Sequence, residues 1–141
     1  MKILAIDPGT KRIGLAACDE LGLTIRLLPV LKISSSSQGA ELVFQLIRRE
    51  EFSKVLIGLP LNMDGSEGAA ALQVRKFVEL LQKKFTISEL PEIVFWDERL
   101  TSFEAELRLR EKGIAKAKAK DFLDSVAAEI LLEDYLRQTP S

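Results

Sequence analysis

Three carboxylates stand where the chain changes character: Asp7, Glu98 and Asp124. Asp7 follows the apolar run Ile3 to Ile6 and precedes Pro8-Gly9-Thr10, so it marks the point where a strand covered on both faces gives way to a turn. Glu98 sits in Asp97-Glu98-Arg99, directly after the run Glu92 to Trp96, and Asp124 follows Asp121 at the head of an apolar-periodic segment. The chain has no histidine. That removes serine–histidine and cysteine–histidine pairs, imidazole-ligated zinc and any imidazole base, leaving carboxylates, lysines and hydroxyls for chemistry. Carboxylates that met at one place would repel by roughly several kcal/mol unless a divalent cation neutralised them. Mg2+ or Mn2+ suits such a set of oxygen ligands, and the chemistry these ions support without histidine is in-line phosphodiester displacement. Each residue also has a plainer use. Asp7 can open an Asx turn before Pro-Gly, Asp121 with Asp124 can cap a helix, and Asp97 competes with Glu98 for any role at that strand end.

The cations near these carboxylates would serve a polyanionic partner. Lys11 and Arg12 lie in the turn after Asp7, and Arg99 follows Glu98. Gly113 to Lys120, GIAKAKAK, has no apolar period and reads as a mobile basic loop carrying Lys116, Lys118 and Lys120. Asn62 belongs to a turn-rich stretch, GLPLNMDGSEG, at the carboxyl end of a strand, where it is a nucleic-acid-binding candidate as well as an ordinary turn residue. Net charge is −1, so there is no global basic footprint, and basic pairs elsewhere read as solvated helix faces.

The elements that must position these residues follow from periodicity. Ile3–Ile6, Ile13–Cys18 and Thr24–Ile33 read as three antiparallel strands, with Pro29 marking an edge or a bulge in the third. A helix over about 38–50 turns Leu42, Leu46 and Ile47 inward, and Val55–Leu59 is then a parallel crossover strand. Ser66 is a candidate cap for a helix carrying Val74, Phe77, Val78, Leu81 and Phe85 on one face. Glu92–Trp96 is a fifth strand, and Thr101 with Glu104 forms a capping box for a helix through about Lys112. A final helix over 121–136, capped by Asp121, puts Asp124 in its first turn near the positive end of the helix dipole. The expected architecture is α/β: one domain over 1–141, a five-stranded mixed sheet of three antiparallel strands followed by parallel crossovers, and about four flanking helices. Strands one and four are then central neighbours, which would gather the three carboxylates at one rim. Met1 leads straight into a strand with no secretory leader, no run is long enough to span a bilayer, and the single cysteine, Cys18, reads as a small buried hydrophobe; the expectation is a cytoplasmic protein.

Together, DPGTKRIGLA, GLPLNMDGSEG, DERLTS and LDSVAAEILLEDYL resemble the bacterial YqgF-type family, described as Holliday-junction-resolvase-like pre-16S ribosomal RNA nucleases. The resemblance covers essentially the whole chain. It implies a ribonuclease H-like fold and a cytoplasmic, divalent-metal-dependent nuclease that matures the 5′ end of 16S ribosomal RNA, its acidic triad falling on Asp7, Glu98 and Asp124. Three alternatives stay open. The same chemistry could act on branched DNA as a Holliday junction resolvase, which requires a two-fold dimer. The D-x-G-T turn also resembles the phosphate loop of actin-like and sugar-kinase ATPases, which close two such domains over a nucleotide. A non-catalytic RNA-binding or transcription-associated module is the third. The expected partner is nucleic acid, a ribosomal RNA precursor before branched DNA, with no membrane, and the expected assembly is a monomer or weak homodimer.

Overall fold

The apolar runs become the centre of one sheet. The computed structural model describes residues 2–22, 24–97, 107, 111 and 116–138, the side chains of 116–122 excepted. Strands β1 (Ile3–Pro8), β2 (Arg12–Cys18) and β3 (Ile25–Lys32) form an antiparallel meander, and β4 (Lys54–Leu59) and β5 (Glu92–Asp97) add in parallel. The order β3-β2-β1-β4-β5 puts β1 and β4 side by side at the centre, as expected, and leaves Pro29 on the edge strand β3, where its missing N–H costs no ladder bond. β1, β2 and β4 are almost wholly buried because helices cover both of their faces.

Alternation along each strand sorts side chains between the two faces. Leu4, Ile6, Ile13, Leu15, Val55 and Ile57 face helices α1 (Ser36–Glu50) and α2 (Ala69–Gln82). Ile3, Ala5, Ala16, Cys18 and Leu56 face α3 (Lys116–Gln138), which supplies Ala128, Leu131, Leu132 and Tyr135. Leu131 and Leu132 are fully buried, each stabilising the fold by roughly 1.5–3 kcal/mol relative to exposure. Cys18 lies in this second layer, where burial pushes its thiol above the ordinary range and leaves it a packing residue. Among the described residues no helix is long and apolar enough to cross a membrane.

Four local expectations are revised. In α1 the inward positions are Gly39, Ala40, Val43, Leu46 and Ile47, with Leu42 only half-buried, because the helix begins earlier than its apolar run and Ser35 caps it, accepting from the Gln38 amide at 3.1 Å. Ser66 does not cap α2, whose N-cap is Gly68; the serine is held inside its own loop. The Ala-Lys run is not a loop from Lys116 onward. Alanine and lysine are strong helix formers, and once the following segment docks on the sheet this stretch extends it without any apolar period of its own. Asp121 is therefore inside the helix and not at its start, and Asp124 lies in the third turn of α3, away from the dipole's positive end. The described residues contain these three helices of eight residues or more; the helix expected between Thr101 and Lys112 falls, apart from Leu107 and Glu111, outside them.

Candidate active site

Asp7 is the penultimate residue of β1, half-buried at the carboxyl end of the central strand. It shares parity with Ile3 and Ala5, so it belongs to the face that α3 covers. Its cross-strand partner is Gly14 of β2. A Cβ on Gly14 would lie 1.9 Å from the backbone oxygen of Asp124, so the helix main chain rests where a side chain would otherwise stand. Directly opposed strand residues have Cβ positions only about 4.5–5.5 Å apart. Asp124 is thus carried to the strand position next to Asp7, and one of its carboxylate oxygens, Oδ2, is shut off from solvent. A glycine inside IGLAAC, the apolar part of β2, was the legible sign of this close approach.

Further contacts hold α3 at that depth. The Ser125 hydroxyl donates to the Leu28 carbonyl of β3 at 3.3 Å. Farther along, the Trp96 indole donates to Asp134 at 2.7 Å and packs edge-on against Tyr135, while the Lys54 ammonium donates to the Tyr135 hydroxyl at 2.5 Å. The bond to Tyr135 is the main reason that the Lys54 pKa is raised. Helix α3 is therefore tied to β2, β3, β4 and β5, and its position relative to Asp7 is set from both ends. None of these ties was read from the sequence, because each joins residues with no shared motif.

The other expected site residues divide into four groups. Glu98 and Arg99 lie outside the described residues. Asp97 is exposed at the end of β5 and shares parity with Ile93 and Phe95, which belong to the opposite layer from Asp7. Among the described residues no group of three acidic, histidine or cysteine side chains could hold a metal ion. Lys11 is exposed in the turn, and Arg12, the first residue of β2, has the parity of Gly14 and so belongs to the α3 face, its Nε buried. Lys116, Lys118 and Lys120 are helical positions; 116 and 120 share one side of α3 and 118 does not.

Asn62 has a defined job within the 60–68 loop. Its amide donates to the Ser66 hydroxyl at 3.0 Å, and that hydroxyl and the Ser66 N–H both reach Asp64 Oδ1, at 2.5 and 2.9 Å. Gly65, at φ 88°, closes this turn by donating to the Asn62 carbonyl. The loop is then strapped to α2 by a two-pronged pair, Arg75 Nε and Nη2 to Glu67 Oε1 and Oε2 at 2.6 and 2.7 Å, with the guanidinium over the Phe95 ring. That pairing holds the Glu67 carboxyl below its usual range.

The model of the family described as "RuvX: Holliday junction resolvase" matches residues 1–138. The chain belongs to the RuvX family. Among curated relatives, proteins named "Putative pre-16S rRNA nuclease" from Thermoanaerobacter pseudethanolicus and Carboxydothermus hydrogenoformans are 39% and 40% identical, each alignment covering 96% of both chains. This RuvX chain also shares its fold with Thermus thermophilus RuvC in complex with a Holliday junction substrate, at a TM-score of 0.63 and 18% identity over 98% of this chain and 96% of the other. The fowlpox virus Holliday junction resolvase gives a TM-score of 0.61 at 15% identity, covering 99% and 100%. The ribonuclease H-like architecture of the resolvases, a mixed five-stranded sheet between helices, is therefore that of this RuvX chain.

Proposed function

We propose that this RuvX protein is a divalent-metal-dependent endonuclease that hydrolyses phosphodiester bonds, with the 5′ end of pre-16S ribosomal RNA as its substrate in the cytoplasm. The observation that carries this reading is the seating of Asp124 on Gly14, the residue paired with Asp7. Two hard oxygen donors from remote parts of the chain, on one face at the carboxyl end of the central strand, suit Mg2+ or Mn2+. The third carboxylate in this reading is Glu98, which follows Asp97, the last residue of β5, in the sequence. A bound divalent ion supplies Lewis acidity and a water acidified toward neutral pH. The chain's own work is to hold Asp7, Glu98 and Asp124 against their mutual repulsion, to orient the scissile phosphate, and to neutralise the flanking backbone with Lys11, Arg12, Arg99 and the lysines of α3. The relatives' name supports ribosomal RNA precursor as the substrate.

Cleavage of a pre-16S RNA fragment with Mn2+ tests the reading. Asp7→Asn and Asp124→Asn should each lose activity by at least about a hundredfold while the fold is kept, since both substitutions relieve like-charge repulsion. Unchanged RNA processing by Asp7→Asn would leave a binding module in place of an enzyme. The family description favours a second reading, resolution of four-way DNA junctions by a two-fold dimer. Junction cutting with precursor RNA left whole, by a chain that elutes as a dimer, would select it.

A further inference from the structure

Beside the carboxylates, on the other side of the same sheet rim, lies a cleft of about 580 Å³. It begins at Pro8, the residue after Asp7, and runs between the turn, the end of β4 and the first turns of α2. Pro8, Pro60 and Phe77 contribute apolar surface, and Thr10, Ser36, Gln73 and Lys76 supply the polar points. Among the described residues no acidic side chain lines it. The volume falls within the range of small-molecule sites and holds a nucleobase with its ribose, but the chemistry of the walls is wrong for a phosphate alone. Two proline rings and a phenylalanine offer apolar surface to the flat face of a base, the glutamine amide offers an acceptor and donors to its edge, and the lysine suits an adjoining phosphate.

We infer that this cleft receives one unstacked nucleobase of a single-stranded segment, adjacent to the phosphate presented to Asp7. The inference rests on the reading of the substrate as nucleic acid and extends it. A strand crossing the rim over β1 places its backbone above Asp7 on the α3 face, and the neighbouring base falls over the Pro8-Gly9-Thr10 turn into the cleft. The site selects flexible single strands over paired ones, since a base in a duplex must first be unpaired and unstacked. Together with the carboxylates it sets which phosphate is cut, by holding the nucleotide next to it.

The test uses the full chain and a short single-stranded RNA carrying 2-aminopurine at each position in turn, in EDTA so that nothing is cleaved. At one position saturating protein should raise the emission several-fold as the base leaves its stacked neighbours. Ala70→Trp, which fills the cleft from an exposed position in the first turn of α2, should abolish that rise. Gln73→Ala, at an exposed position, should weaken binding by about tenfold, read by anisotropy, with an unchanged circular dichroism spectrum. Emission that responds equally in wild type and Ala70→Trp, or RNA that binds with no emission change at any position, overturns the inference. Because the readout needs no cleavage, a chain that shows the emission change yet never cuts RNA refutes the nuclease reading alone, and a chain that cuts RNA with silent 2-aminopurine refutes the base cleft alone.

Discussion

Gly14→Ala is the sharpest perturbation of this site, because it adds one methyl group and touches no charge. The new Cβ would stand 1.9 Å from the Asp124 carbonyl oxygen, whereas real Cβ contacts essentially never fall below 3.0 Å, so either β2 or α3 must retreat by more than 1 Å. The atom in the way is backbone, and α3 is tied along its length by Ser125, Asp134 and Tyr135, so it cannot yield by a rotamer change. Overpacking of this kind costs about 1–3 kcal/mol. The same displacement moves Asp124 relative to Asp7, and a misplacement of about 1 Å in a reacting geometry costs about a hundredfold in rate. Gly39→Ala is the control. Its Cβ would meet Cδ1 of Ile13 at 2.9 Å and Cδ1 of Ile33 at 3.1 Å, both the ends of side chains and not backbone, and alanine is about 1 kcal/mol better than glycine inside a helix. Urea denaturation and precursor cleavage should therefore show Gly14→Ala losing both stability and rate, and Gly39→Ala close to wild type in both. Wild-type rate and stability in Gly14→Ala would refute the claim that close helix–strand approach builds the site, and equal rate losses in the two variants would show that general packing, not the placement of Asp124, matters.

Other outcomes follow from the same geometry. Replacing Lys116, Lys118 and Lys120 by alanine should reduce the slope of log affinity against log salt for single-stranded RNA by at most about two, at about 0.7 per phosphate contact; an unchanged slope would remove this turn of α3 from the interface. Glu51 ends α1 at φ 57°, a left-handed position that costs a residue with a Cβ about 1–2 kcal/mol, partly offset by glycine's greater unfolded freedom, so Glu51→Gly should stabilise the fold by about 0.5–1 kcal/mol in thermal unfolding. Arg75 depresses the Glu67 pKa, so the strap from the 60–68 loop to α2 is complete above the ordinary carboxylate value of 4.5 and is lost as the pH falls through the lower folded value. Protection factors of the 62–68 amides, which correct for the intrinsic slowing of exchange in acid, should fall over that interval in wild type, and Glu67→Gln should show the low protection already at neutral pH.

Much of the frame was legible from residue types. The uninterrupted apolar run Ile3–Ile6 announced a strand buried on both faces, and the helix before the largely apolar Val55–Leu59 required the crossover that makes β1 and β4 parallel neighbours. Zero histidines and carboxylates at element ends narrowed the chemistry before any coordinates. Misreadings came where local signals competed with tertiary ones. Asp121 has the chemistry of a cap and the Ala-Lys run has no apolar stripe, yet α3 runs through both, since docking of its later turns stabilises helix that propensity alone leaves marginal. Ser66 looked like a cap and instead closes its own turn, its hydroxyl accepting from Asn62 and donating to Asp64.

The sequence by itself determined which groups are available: oxygen ligands without imidazole, basic residues following two of the three acids, and the apolar periods that separate strands from helices. Periodicity and composition are local properties, and they carry that much. Only the tertiary structure decided that the Asp124 backbone rests on Gly14, the strand partner of Asp7, because the approach depends on the absence of a side chain at Gly14 and on ties from Ser125, Asp134 and Tyr135 to three other strands. Steric exclusion acts between residues more than a hundred positions apart, and no window of the sequence contains both partners.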